Sequence, residues 1–365
     1  MAFDLQPTEE QQALVQTLRD LSEAVLRPAA RSCEAAGRTS PEPARLIHEI
    51  GVTAPVPEEL GGGGTLDAVT YVMAAEELAW GDPGIAYQAL GSGLAAIVVD
   101  RAGSDEQRVR YLPAFAEPGP APTFVASGEK VAAGDLENLE ARIEDGKVVA
   151  EKYGVLNARD ARFGLVVGLG PEGLTAALVE GEAFEVVKPE DKLGLAAAPT
   201  SVVRFDTASE ALPAGGALES AALYIKLMTG AIAVGCARAS LEYAARYARE
   251  REAFGKPIGA FQAISFKIAD MAIDVDAARM SLWRTAWKLD RGTATYADAA
   301  SAVGQALAAA VRCGDDAVQI LGGHGYIKDH PVEMWFRDAV TLSVFDAPDV
   351  LGDLAVARSA VARSA

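Results

Sequence analysis

FQAISFKIADMAIDVDAARMSLWRTAWKLDRG, residues 261–292, carries the clearest structural pattern in this 365-residue sequence. Its apolar residues recur at spacings of three and four, which places them on one side of a helix. The residues at this spacing are Phe261, Ile264, Ile268, Met271, Val275, Ala278, Leu282, Ala286 and Leu289. Gly292 then ends the pattern. The spacing predicts a long helix that packs lengthwise against other helices, as in a helix bundle.

The sequence on either side of this segment extends the bundle. The same spacing returns after Gly292, at Val303, Leu307, Ala310, Gly314, Ala317 and Leu321. An alanine-rich stretch over residues 225–250 predicts a third long helix. Three long helices with narrow apolar faces favour a four-helix bundle, so we predict such a domain over residues 218–365.

Residues 1–120 are also predicted to be helical. Thr8 and Gln11 have the spacing of a capping box at the start of a helix. The pattern changes after the linker-like string PGPAP at 118–122, where short β runs replace the helical periodicity. Asp145-Gly146 between two such runs predicts a two-residue hairpin. We therefore predict a mostly α protein with a central antiparallel β domain over 121–217, between helical domains at 1–120 and 218–365.

Composition narrows the possible partners and the compartment. The net charge of −18 argues against nucleic acid and against an anionic membrane surface, and an anionic ligand would need a local basic patch. Cys33, Cys236 and Cys313 form no CxxC motif, which predicts reduced thiols. The start of the chain does not look like a signal peptide and no run of 18 apolar residues occurs, so we expect a cytoplasmic protein. The spacing of the three histidines predicts no metal site.

Two motifs in the carboxy-terminal third carry a family resemblance. They are REAFGKPIGAFQ at 251–262 and QILGGHGY at 319–326, and HPVEMWFRDA follows at 330–339. Together with VPEELGG, AAEELAWGDPG and GSDEQRVRYLP in the amino-terminal third, they make the whole chain resemble the acyl-CoA dehydrogenase family. The resemblance implies a three-domain architecture (helical, β-barrel-like and four-helix bundle) and an FAD cofactor. It also implies α,β-dehydrogenation of an acyl-CoA thioester in a tetramer that passes electrons to an electron-transfer flavoprotein.

The resemblance further implies which residues bind the cofactor. In this family one subunit holds the flavin ring, and its neighbour supplies contacts to the adenosine diphosphate half. The matching positions, all retained here, are Arg251, Phe254, Gln262, Gln319, Gly322 and Gly323. The residue types suit the role, because a guanidinium group can clamp a pyrophosphate and glycines let the backbone approach a ligand closely.

The segments that touch a subunit's own flavin ring and substrate depart from the family pattern. The first glycine-rich segment has become ASGEKVAAGD at 126–135, where only Ser127, Gly134 and Asp135 match, and the aromatic-Ile-Thr/Ser segment has become GVL at 154–156. The segment with the catalytic glutamate reads DAPDV at 346–350, which leaves Asp346 as the candidate base. The Asp-x-x-Arg motif for acyl-CoA falls on LYIK at 223–226, which leaves Lys226 as the candidate substrate contact.

Three functional hypotheses follow from this uneven pattern. The first is a heteromer, as in bacterial steroid side-chain degradation, where this chain would complete a flavin site whose ring lies in a paralogous catalytic subunit. The second is a homomeric dehydrogenase that uses Asp346, whose side chain is one methylene shorter than glutamate. The third keeps the fold but changes the chemistry, to a flavin oxidase or monooxygenase or a carrier-protein thioester dehydrogenase. The net charge disfavours a DNA-binding scaffold.

Overall fold

The computed structural model describes residues 6–54, 56–129, 139–213 and 216–345. Six helices precede the strands, and a π-helical turn, Ser22–Leu26, joins the first two. They are α1 (Glu9–Leu21), α2 (Arg27–Ala36), α3 (Pro41–Ile50), α4 (Ala68–Gly81), α5 (Pro83–Ala102) and α6 (Asp105–Tyr111). Up to residue 345, four helices follow these strands: α7 (Gly216–Glu250), α8 (Gln262–Asp290), α9 (Tyr296–Leu321) and α10 (Val332–Phe345). The predicted order of helical, β and helical regions is confirmed.

Local sequence signals set several of these boundaries. Thr8 caps α1 through both hydrogen bonds of the predicted capping box. The apolar face of the long α8 helix is buried at Met271, Val275 and further positions of the predicted series. Gly292, two residues beyond the helix, has a φ of +64°, a conformation that glycine adopts without strain. The predicted long helix is therefore confirmed within one residue at its start.

The central β region forms one mixed sheet. Its strands are β1 (Phe124–Ala126), β2 (Arg142–Glu144), β3 (Lys147–Leu156), β4 (Phe163–Gly170), β5 (Gly173–Glu180), β6 (Glu185–Pro189), β7 (Thr200–Ala208) and β8 (Glu210–Ala211). The order across the sheet is β6-β7-β3-β2-β4-β5-β8, and β1 pairs with β4. The predicted hairpin at Asp145-Gly146 joins β2 to β3, with positive φ at both residues.

The central β domain was predicted to be antiparallel, and two of its pairings are instead parallel. β1 runs parallel to β4, and β2 meets β4 in parallel through Arg142 and Leu169. Parallel neighbours need a crossover connection, which is commonly a helix. Here β2 and β3 lie between β1 and β4 along the chain, so a hairpin belongs to the connection. The absence of a helical segment from the sequence therefore did not exclude parallel pairing.

The two helical regions share one hydrophobic core. α7 lies at its centre and packs against α4 and α5 from the first region and against α8, α9 and α10 from the second. Within α7, residues 220–250 are long and apolar enough to cross a membrane, the one such helix in the part of the chain that the structure describes. In the most apolar window 78% of the residues are buried in the protein, as expected for a core helix. The domain boundaries at 120 and 217 stay predictions.

All three cysteines lie in this shared core as free thiols. Cys33, Cys236 and Cys313 each have no exposed surface. Burial raises the pKa of Cys236 well above its ordinary value and that of Cys313 to about 12. Both thiols are therefore held in the protonated, unreactive form.

Candidate functional site

The two family motifs meet at one end of the helix bundle. α7 and α9 end there and α8 begins there, so the connections after α7 and α9 lie side by side. Arg251 directly follows α7 and His324 lies in the 3₁₀ turn after α9. Both line a cleft of about 310 Å³, together with Tyr243, Arg246, Tyr247, Glu250 and His330. The structure thus brings together two motifs that are about 60 residues apart in the sequence.

A short hairpin presents Phe254 to solvent. Its strands are β9 (Glu252–Ala253) and β10 (Lys256–Pro257), and Phe254 and Gly255 form the turn with φ values of +53° and +78°. A bulky residue at positive φ is strained. The Phe254 side chain is 98% exposed, with one edge-to-face contact to Phe261 at 6.2 Å between ring centroids. The hairpin therefore places a strained, uncovered aromatic ring on the surface.

The other predicted cofactor residues are exposed at the same end of the bundle. Gln262 is the first residue of α8 and Gln319 lies in the last turn of α9, and both side chains face solvent. Gly322 ends α9 with φ +59° and ψ −129°, a region of backbone conformation that is nearly restricted to glycine. A β-carbon on Gly322 or Gly323 would meet no atom within 4 Å. The backbone here is open to a ligand.

Two histidines that the sequence analysis did not assign to a cluster complete this end of the bundle. The His324 and His330 rings are stacked, with centroids 5.2 Å apart. Nδ1 of His324 lies 2.9 Å from the Tyr247 hydroxyl oxygen, and Nδ1 of His330 lies 2.8 Å from that of Tyr243. The described residues contain no group of three or more His, Cys, Asp or Glu side chains that could hold a metal ion. The four rings support the cleft next to Arg251.

The segments that the family uses at a subunit's own flavin ring are more buried than the motifs around Arg251 and Gly322. Ser127 is exposed, whereas Gly134 and Asp135 lie outside the described residues. Val155 and Leu156 are buried at the end of β3, although Gly154 donates its backbone N–H to Glu190. A β-carbon on Gly91 of α5 would lie 2.4 Å from Leu156 Cδ2. Leu156 thus packs against α5 at the position where the family has a hydroxyl group.

The structure describes the candidate substrate contact, Lys226, but not the candidate base, Asp346. Lys226 is half-buried near the start of α7, and its Nζ lies 5.5 Å from the centroid of the Tyr296 ring. Tyr224, two residues earlier, is buried, and its hydroxyl oxygen accepts a 2.5 Å hydrogen bond from Arg101. The sequence analysis did not identify Arg101 as a cation near this motif. Asp346, the candidate base, lies outside the described residues, directly after the last residue of α10.

A buried ion pair joins the altered glycine-rich segment to β3. Nζ of Lys152 is 2.6 Å from Oε1 of Glu129, and both side chains are almost fully buried. Glu129 also accepts hydrogen bonds from the backbone N–H groups of Glu140 and Ala141. The sequence analysis did not find this pair. The alternation of β3 contained the signal, because Val148, Ala150 and Lys152 share the inward face.

A second buried group links α10 to the loop between β6 and β7. Arg337 and Asp338 do not pair with each other: Arg337 pairs with Glu34 and Glu333, and Asp338 accepts the backbone N–H of Leu195 at 2.5 Å. Asp338 has no ion pair among the described residues, because its carboxylate turns inward to this N–H group. Burial, and then the charge of Asp82, raise the pKa of Asp338.

Replacing Asp82 by asparagine is expected to stabilise the protein above about pH 6. Burial raises the pKa of Asp82 to about 6, above the value of about 3.9 for an unfolded aspartate. The protonated form is thus favoured by folding, and this stability is lost as the pH rises through 6. Asparagine stays neutral and can still accept the Ile85 N–H at the start of α5. We expect the variant to melt a few degrees higher than the parent at pH 8 and with a smaller difference at pH 5; equal differences at both pH values would contradict this account.

Comparison with known proteins shows the family. The family model for the acyl-CoA dehydrogenase N-terminal domain matches residues 8–118, and the model for the C-terminal domain matches residues 218–365. A probable acyl-CoA dehydrogenase of Bacillus subtilis, YngJ, is 31% identical over 98% of this chain and 99% of its own. The mitochondrial short-chain specific acyl-CoA dehydrogenase of Bos taurus is 32% identical over 96% of this chain and 89% of its own. The structure of butyryl-CoA dehydrogenase from Megasphaera elsdenii superposes with a TM-score of 0.89 at 27% identity, covering 98% of this chain and all of the other. The chain belongs to the acyl-CoA dehydrogenase family.

Proposed function

We propose that this chain is the flavin-completing subunit of a heteromeric acyl-CoA dehydrogenase. FAD is the cofactor of the family, and the family's enzymes are oxidoreductases that act on acyl-CoA thioesters. In our proposal, the chain contributes Arg251, Phe254 and the Gly322-Gly323 turn to a flavin whose ring lies in a paralogous subunit. The complex would be a tetramer with two copies of each chain, as in bacterial steroid side-chain degradation.

One contrast within the structure carries this proposal. The residues matched to a neighbour's cofactor are exposed and uncovered, and Phe254 is held there in a strained conformation. The position matched to the chain's own flavin ring is instead filled by Leu156, which packs against α5. A chain that had lost flavin function altogether would have no reason to keep a strained, solvent-exposed aromatic residue. A chain that holds its own flavin would keep a polar group where Leu156 lies.

In this proposal the residues of this chain bind the cofactor and the substrate but do not carry out the proton transfer. FAD, when bound, accepts the hydride that leaves Cβ of the acyl group. Arg251 would neutralise the pyrophosphate with its planar fork of donors, and the open backbone at Gly322-Gly323 would let the cofactor approach closely. Phe254 would shield one side of the cofactor from water. Lys226 is the one residue of the altered acyl-CoA motif that could meet an anionic substrate.

Removal of the substrate α-proton is assigned to the partner subunit. A general base must lie within hydrogen-bonding reach of the proton, and a misplacement of about 1 Å costs on the order of 100-fold in rate. Asp346 is shorter than the family's glutamate, and proline and valine follow it where the family has groups that can hydrogen-bond. We propose that electrons then pass to an electron-transfer flavoprotein, as in most relatives.

Expression of the chain alone and with a paralogous acyl-CoA dehydrogenase from the same operon tests the proposal. We expect the lone chain to purify with little flavin and no turnover, and the co-expressed pair to carry FAD and oxidise acyl-CoA. An Asp346→Asn substitution in the pair should leave turnover within about twofold, because the base lies in the partner. Full flavin content and turnover in the lone chain, with loss of activity in Asp346→Asn, would instead establish the homomeric enzyme.

A further inference from the structure

A second, larger cleft adjoins the segment 251–262, because Pro257 and Gly259 lie in its wall. Its volume is about 990 Å³, and it opens between α1 and α2 on one side and the end of α7 and start of α8 on the other. The charged side chains that line it are Arg19, Glu23, Arg27, Glu242, Arg246 and Arg249. It shares Tyr243 and Arg246 with the smaller cleft at Arg251, but none of the six predicted flavin residues lines it.

A network of ion pairs lies beneath the cleft. Three carboxylates, Glu76, Glu77 and Glu242, lie close to three guanidinium groups, Arg19, Arg238 and Arg279. The carboxylates of Glu76 and Glu77 are buried, and their oxygens lie 2.7–2.8 Å from guanidinium nitrogens of these arginines. Glu76 and Glu77 are both engaged within this network, so neither is available to neutralise the remaining arginines of the cleft.

Arg27 has no counterion in the part of the chain described. Its guanidinium group stacks on the Trp80 ring, 3.4 Å from the centroid, and its Nε and Nη2 donate to the Trp80 carbonyl oxygen. No carboxylate lies within 4.0 Å of it. Burial lowers the pKa of Arg27 to about 10, although the charges of Glu242 and Glu23 act in the opposite direction from farther away. Its contacts are thus an aromatic face and a carbonyl oxygen, and an anionic ligand would supply the ion pair that the described residues do not.

Two further arginines face the same cleft without an ion pair among the described residues. Arg246 and Arg249 are one turn apart on α7, and both are exposed. The partial negative charge at the end of α7 accounts for a cation in the last turn, at Arg249, but not for Arg246 or for Arg27 on another helix. Glu23 is the single unpaired carboxylate that lines the cleft. Three unpaired arginines against one glutamate make a basic site on a chain whose net charge is −18.

We propose that this cleft binds a phosphate-bearing small molecule of nucleotide size. Guanidinium groups match phosphate oxygens through paired, charge-assisted hydrogen bonds, and three of them suit a ligand with several negative charges. The volume fits an organic phosphate better than a lone ion. Tyr243, Pro257 and Ile268 supply an apolar wall for the organic part of the ligand. The proposal does not depend on the heteromer or on where the flavin lies.

Titration calorimetry of the purified native assembly with ADP, and with inorganic pyrophosphate as competitor, tests the proposal. We expect ADP to bind and pyrophosphate to displace it. Arg27→Gln and Arg246→Gln should each weaken ADP binding by roughly tenfold or more, the loss of one charge-assisted contact. Because Arg246 is exposed, its replacement does not threaten folding, and circular dichroism checks the Arg27 variant.

Two further variants locate the binding. Arg159→Gln removes the same charge from an exposed loop after β3 and should bind ADP like the parent. Arg251→Gln removes it from the flavin motif and so reports any ADP that binds at the flavin site instead. Absence of ADP binding at millimolar concentration would overturn the proposal, as would unchanged binding in the Arg27 and Arg246 variants. Loss confined to Arg251→Gln would assign the nucleotide to the flavin site and overturn it as well.

Discussion

Arg251→Gln is expected to lower the affinity of the assembled enzyme for FAD by roughly 100-fold. Arg251 has no ion pair among the described residues, so its guanidinium group is free to meet the cofactor's pyrophosphate. Two charge-assisted hydrogen bonds to phosphate are each worth about 1.5–3 kcal/mol, and glutamine provides neither the charge nor the fork. The measurement is the flavin absorbance per polypeptide after gel filtration, with the dissociation constant obtained from flavin fluorescence.

Arg159→Gln, which makes the same change in charge on the β domain, is the matched control and should retain its flavin. Folding should be unaffected in both variants, because both arginine side chains are exposed. Full flavin retention by the Arg251 variant would show that the REAFG motif does not hold the cofactor in this protein. A loss that Arg159→Gln shares would point to the net charge of the chain and not to a specific contact.

Lys152→Met is expected to destabilise the protein by about 3–5 kcal/mol, because it removes one partner of a buried ion pair. The Lys152 side chain is fully buried and that of Glu129 is 5% exposed, so the remaining carboxylate would have little access to water. Burial alone would raise the pKa of Glu129, but the hydrogen bonds from Lys152 and from two backbone N–H groups together lower it. The ion pair thus keeps Glu129 charged in the parent. Chemical denaturation followed by circular dichroism measures the loss.

The double variant Lys152→Met with Glu129→Gln separates the lost charge pairing from lost packing. It should recover a large part of the stability, because no charge is left buried without a partner. A Lys152→Met variant that loses less than about 1 kcal/mol would show that water reaches Glu129 and that the ion pair is not a buried one.

Patterns that depend on neighbouring residues predicted much of the fold. The capping box at Thr8, the hairpin at Asp145-Gly146 and the long helix ending before Gly292 are all present. Each depends on interactions within a few residues or on one face of one element. The parallel pairing of β1 with β4 was not predicted, because it depends on how a distant strand returns to the sheet, and strand composition does not encode that direction.

The candidate site could be predicted from the sequence only in part. The motifs around Arg251 and Gly322 were found by resemblance, and the structure brings Arg251 and His324 into one cleft. Their contact with flavin stays a prediction. The stacked histidines could not be foreseen, because His324 and His330 meet through a turn whose path depends on packing against α7. Lys152 could have been found by following the alternation of β3 to its end.

The subunit content and flavin ratio of the purified complex test the central claim most directly. Native mass spectrometry gives both, because it resolves the mass of each chain and of bound FAD. We expect a tetramer with equal numbers of this chain and a paralogous acyl-CoA dehydrogenase, and about one FAD for each pair of chains. A homotetramer with about one FAD per chain would contradict the claim and make this protein an independent dehydrogenase.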